Sequence, residues 1–69
     1  MPTQTDPLET AIQTVTDGYR DAHAGADADL LTIQSAIDAA EAAGFGSAEI
    51  FRTAELRFAQ WLIDNSDRH

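Results

Sequence analysis

Two glycine-bearing breaks constrain this chain more than any other feature. "GA" at 25–26 and "GFGS" at 44–47 cut it into three stretches, and in each stretch the apolar residues recur at helical spacing. No stretch shows the apolar-polar alternation that marks a strand. The expected fold is all-α. It is either a small three-helix bundle, with helices over about 7–24, 28–43 and 48–65, or a helical hairpin whose third helix completes a dimer. Short connections make consecutive helices antiparallel neighbours. Residues 1–5 and 67–69 are expected to be frayed ends of a single domain over 6–66.

Each helix carries its own start and stop signals. Asp6 is a good N-cap, Pro7 fits the first helical position, and Glu9 falls at the third. The first core stripe is Leu8, Ala11, Ile12, Val15, Tyr19 and Ala22. Gly18 interrupts it, and a glycine inside a helix costs about 0.5–1 kcal/mol relative to alanine. Because Tyr19 and Ala22 stay in phase with Val15, a continuous helix with a close neighbour is favoured over a break. Gly25 is the natural stop. The second helix is expected to start near Asp27, with Asp27 and Asp29 at its positive end. Leu30, Ile33, Ile37, Ala40 and Ala43 form its stripe, Ala36 lies beside it, and Gly44 ends it. Ser47 is the expected cap of the third helix, with Glu49 in its first turn. That helix buries Ile50, Phe51, Ala54, Phe58, Trp61 and Leu62.

The chain is 69 residues long and has no Cys, so neither disulfides nor thiolate metal sites can support it. A chain this short buries only about 60% of its unfolded surface. Good helix packing or a partner must therefore supply its stability. The opening "MPTQTDP" has neither the basic region nor the apolar run of a signal peptide. No segment has the ~20 apolar residues of a membrane span. The expected location is cytoplasmic.

Charge is the clearest pointer to function. Twelve acids face four bases, all Arg, for a net charge of −8. Residues 1–46 carry Asp6, Glu9, Asp17, Asp21, Asp27, Asp29, Asp38 and Glu41 against Arg20 alone. In the third helix, Arg52 stands three residues from Glu49 and Glu55, and Asp64 stands four before Arg68, spacings that allow local pairing. So negative a field repels nucleic-acid backbones and anionic lipid heads. Direct binding to nucleic acid or membrane is not expected. Asp17, Asp21, Asp38 and Glu41 are the candidate contacts for a basic partner surface; the plainer reading is a well-solvated face.

A second stripe points the same way. Leu56 and Ile63 lie nearly opposite Phe51 and Phe58 on the third helix, with Ala59 between them. A Leu-Ala-Ile row on the back of the core helix is a candidate contact for a partner or a second copy.

Metal and catalytic readings are not supported. Asp27 and Asp29 alternate, but no third acid, Gly and Glu follow as an EF-hand loop requires. Asp17 and Asp21 share a helix face, while His23 lies about 200° around the helix from Asp21. No His sits near a Ser in a recognisable nucleophile pattern. No metal, cofactor or catalytic residue is expected. In cadence, "GADADLLTIQSAIDAAEAAGF", residues 25–45, resembles acyl carrier proteins. That family carries its phosphopantetheine on a Ser directly after an Asp. Here Ala28 follows Asp27, Leu30 follows Asp29, and Ser47 follows Gly46, so no such arm is expected.

The expected function is a non-enzymatic acidic protein–protein interaction module. One form is an inhibitor that docks on a basic, nucleic-acid-binding surface. In size and charge the chain resembles phage-encoded inhibitors such as anti-CRISPR proteins, a likeness that rests on no motif. The alternative is a small accessory or structural subunit held in a larger assembly by the apolar stripe of the third helix.

Overall fold

The computed structural model describes residues 6–66, so the expectations for 1–5 and 67–69 lie outside the described residues. It is a three-helix bundle: α1 Pro7–His23, α2 Leu30–Ala42 and α3 Ser47–Ser66, with no strand among the described residues. Among the described residues no helix is long and apolar enough to cross a membrane.

The helix ends follow from local chemistry. The Asp6 side chain accepts from the Leu8 N–H at 3.1 Å, with Pro7 in the first turn. The start of α2 differs from expectation. Its cap is Asp29, and Asp27 lies outside the helix. Asp29 accepts from the Thr32 N–H at 3.2 Å and from the Thr32 hydroxyl at 2.6 Å. Asp27 would have Leu30 in that place, which has no side-chain donor to give, so the helix starts where the cap is doubly satisfied. The α3 start also shifts by one residue. The Ile50 N–H reaches the Gly46 carbonyl at 3.3 Å, so Gly46 takes the cap position and Ser47 is already helical.

Both helix-ending turns share one backbone motif. After α1, the Gly25 N–H donates to the Ala22 carbonyl and the Ala26 N–H to the Asp21 carbonyl, at 3.1 and 2.8 Å. After α2, the Gly44 N–H donates to Glu41 and the Phe45 N–H to Ala40, both at 3.0 Å. This is the Schellman arrangement, which needs a left-handed residue just past the helix. Gly25 and Gly44 supply it, with φ of +83° and +101°.

α1 is the centre of the bundle. It packs against both other helices, whereas α2 and α3 touch each other lightly. It runs through Gly18 without a break, and the reason is contact. A Cβ on Gly18 would lie 2.7 Å from Cδ1 of Ile33, so α1 and α2 approach more closely than alanine allows as they stand. α1 meets α3 through rings at Tyr19 against Phe58 and at His23 against Trp61.

The core occupies one end. Its buried members are Ala11, Ile12 and Val15 from the first half of α1, Ile37 and Ala40 from the second half of α2, and Ile50 and Ala54 from the first half of α3. Phe45 and Leu8 pack against this cluster. Thr16 is buried with it, its hydroxyl donating to the Ile12 carbonyl at 2.7 Å. The other end is open. Ala22 and Leu30 there, both expected in core stripes, are exposed, Leu30 at 74% of its surface, and Phe58, Trp61 and Leu62 are half-buried. At the core end Ala43 is exposed too, and Phe51, beside Ile50, stays 39% exposed. Helical phase placed these residues on inward faces, but α2 and α3 touch only lightly and leave them uncovered.

A cross-helix ion pair ties α1 to α3. Arg57 presents both terminal nitrogens to the Glu9 carboxylate, one of them at 2.8 Å. The Arg57 bond is the main reason that Glu9 is held below the usual carboxylate value, and Glu9 in turn raises Arg57. Arg52, expected to pair with Glu49 and Glu55, is within ion-pair distance of neither; the ion pairs among the described residues are Arg57 with Glu9 and Arg20 with Asp17. Asp64 accepts from Gln60 at 3.1 Å, and Arg68 lies outside the described residues.

Candidate functional site

The acids of the first two helices fall in two places. Asp17 and Asp21, one turn apart on α1, line a shallow groove with Asp29, Thr32 and Ile33 of α2. Gly18 forms part of the groove wall, so the close approach of the two helices is what brings Asp29 beside the α1 acids. Asp17 accepts from Gln13 Nε2 at 3.0 Å and stands 4.0 Å from Arg20. The bonds from Thr32, the hydroxyl first and then the N–H, hold Asp29 below its ordinary value and keep it anionic. The three acids surround the groove without converging. Among the described residues no group of His, Cys, Asp or Glu is arranged to hold a metal ion.

Asp38 and Glu41 belong to a different stretch. They are exposed and lie about 7 and 12 Å beyond Ile33 along α2, at 1.5 Å per residue. Asp38 accepts from Gln34 Nε2 at 2.9 Å. The structure therefore brings Asp17 and Asp21 together with Asp29, and leaves Asp38 and Glu41 outside that groove. Asp29 was expected near the start of α2, but its place beside Asp17 and Asp21 depends on the Gly18 contact.

A second groove opens between α1 and α3 at the uncovered end. Tyr19, Ala22 and His23 line it from α1, and Glu55 and Phe58 from α3; its volume is about 490 Å³ and it is open to solvent. The rings form a continuous seam. Tyr19 and Phe58 have centroids 5.7 Å apart at a 50° tilt, and Phe58 stacks on Trp61 at 5.9 Å. His23 meets both Phe58 and Trp61 edge-on at 5.9 Å. Partial burial pushes the Tyr19 phenol up, and the Glu55 carboxylate pushes it further. On the other flank of the seam, the Arg20 guanidinium lies 4.8 Å from the centre of the Trp61 ring, within cation–π range. Nothing local in the sequence marks this groove, because Tyr19, Phe58 and Trp61 read as core and Glu55 as a partner of Arg52.

The back of α3 faces solvent. Leu56 and Ile63 are 66% and 57% exposed, and Ala59 between them is exposed as well. Leu31 at the start of α2 is more exposed still, at 82%. No protein-family model, curated protein or solved structure matches the chain.

Proposed function

We propose that this protein works by binding another protein through the acidic side formed by α1 and α2, and that the partner surface is basic. The observation that carries this reading is the imbalance of charge there. Asp17, Asp21, Asp29, Asp38 and Glu41 are all exposed. One cation, Arg20, stands near them, and it is drawn to the Trp61 ring. Solvent-exposed carboxylates that outnumber their cations attract a basic partner and speed its encounter. A protein that presents carboxylates where a basic groove expects phosphates acts as an inhibitor of nucleic-acid binding, and that is the form of the function we favour.

A second reading is favoured by Leu56 and Ile63. A row of exposed aliphatic residues on so thinly cored a bundle suits a small accessory subunit held in a larger assembly, or a second copy of the chain. The two readings differ in their response to salt. Proteins captured from the native host by this chain should be released steeply as salt rises, and should be lost by the variant Asp17→Asn, Asp21→Asn, Asp38→Asn, Glu41→Gln. Capture that ignores salt and these changes, but fails for Leu56→Glu with Ile63→Glu, would replace the first reading with the second.

A further inference from the structure

The aromatic seam between α1 and α3 has two flanks, and they are unequally supplied with charge. On one flank, Trp61 has a cation against its face, Arg20, with Asp17 and Asp21 around the same hollow. On the other flank, Tyr19 and Phe58 offer ring surface, Ala22 leaves space, and Glu55 places a carboxylate at the edge. Glu55 has no ion-pair partner among the described residues. This flank, which His23 also lines, thus has the aromatic surface and the negative charge that Arg20 uses on the first flank, and no arginine.

Aromatic rings with an adjacent carboxylate suit a guanidinium in particular. The group is planar, stacks on ring faces, and carries donors that a carboxylate accepts in pairs. Its aliphatic stem can cover apolar surface while the charged head stays at the rim. The groove is open, so a side chain can enter from a partner surface without any helix moving.

We propose that this groove receives an arginine side chain of the basic partner. The stem lies over Ala22 and Phe58, and the guanidinium sits between the Tyr19 ring and the Glu55 carboxylate. The assignment rests on the reading that the partner is basic, and adds to it a specific anchor on a different pair of helices from the acidic side.

The test titrates the full chain with a short peptide of alternating alanine and arginine, followed by nuclear magnetic resonance. Peptides with lysine, or with neutral citrulline, in place of arginine serve as comparisons. The arginine peptide should shift the Tyr19, Ala22 and Phe58 signals saturably, the lysine peptide less, and the citrulline peptide not at all. Glu55→Gln should weaken the arginine peptide by roughly three- to five-fold, as expected for an exposed ion pair, with an unchanged melting temperature. Shifts confined to Asp17, Asp21 and Asp29, with Glu55→Gln indifferent, would overturn the groove assignment while leaving the basic-partner reading standing. An equal response to lysine would overturn the choice of arginine. No response to either cationic peptide would remove both the anchor and the reading beneath it.

Discussion

The two turns of this bundle have the same backbone and opposite consequences. Each ends its helix with a left-handed glycine and the same pair of hydrogen bonds. In the second turn the residue after the glycine is Phe45, which packs on the core above Ala40. In the first turn that residue is Ala26, and the position facing it is Asp21, both exposed. One turn therefore carries an apolar side chain that closes the bundle, and the other carries nothing to close it with. Backbone motif decides where a helix stops, while the side chain just beyond it decides whether a core forms there. The seam of Tyr19, Phe58 and Trp61 and the acids Asp17, Asp21 and Asp29 lie at the end where the turn is bare.

The largest effect should come from the closed end. Ile50 is the largest fully buried side chain, and Ile50→Ala should cost about 2–5 kcal/mol. A chain of this size has little more than that to lose, at about 0.05–0.15 kcal/mol per residue, so urea titration should find the variant largely unfolded. Phe45→Ala should cost less, about 1–3 kcal/mol for a half-buried aromatic. An unchanged urea midpoint for Phe45→Ala would mean that the second turn does not close the core.

Gly18 stands between the two ends. Gly18→Ala gains about 0.5–1 kcal/mol of helix propensity but meets Ile33 Cδ1, the mobile tip of its side chain. Alone it should be close to neutral. In the background of Ile33→Val, which lacks that atom, the same change should be stabilising by about 0.5–1 kcal/mol. A double-mutant cycle of melting curves measures the coupling, and additive changes would show that the contact carries no energy.

Acid should act through Glu9. Its folded value lies below the ordinary 4.5 because Arg57 binds the ionised form. The pair therefore contributes stability above about pH 4.5, and that contribution disappears as pH falls through the lower folded value. Melting temperatures of the native chain and of Glu9→Gln should differ at neutral pH and converge in acid. The smallest effect belongs to the first turn. Ala26→Leu should change stability by less than about 0.5 kcal/mol, because an exposed acid, not an apolar residue, faces it. A clear gain would show that the open end can be closed by one side chain.

Much of the fold was legible because its signals are local. Asp6 with Pro7, Gly25 and Gly44 each act on the residues beside them, and the structure places helix ends there. Asp29 rather than Asp27 became a cap because Thr32, three residues on, has donors for it. What was not legible depends on neighbours far along the chain. Helical phase says which way Leu30, Ala22 and Phe51 point, but not whether another helix arrives to cover them. Glu9 and Arg57 stand far apart in sequence, so no local spacing marks their pairing, and Arg52 looked like the better-placed arginine. The α1–α3 groove belongs to the same class. Its residues are visible in the sequence as aromatic and acidic positions, but their meeting depends on how α1 packs on α3.

The one-ended core also sets a gradient of local opening. Amide protons of the buried positions Ile12, Val15 and Thr16 in α1 should exchange with solvent only when most of the domain opens. Those near the end of α3, around Trp61 and Leu62, need only the last turns to fray. A ligand in the α1–α3 groove would bridge those turns to α1, and part of its binding energy would go into holding them still. Occupancy should therefore appear first as slowed exchange over residues 58–66, before any change in the average structure. The bare turn thus leaves the molecule a region whose order is free to depend on what it holds.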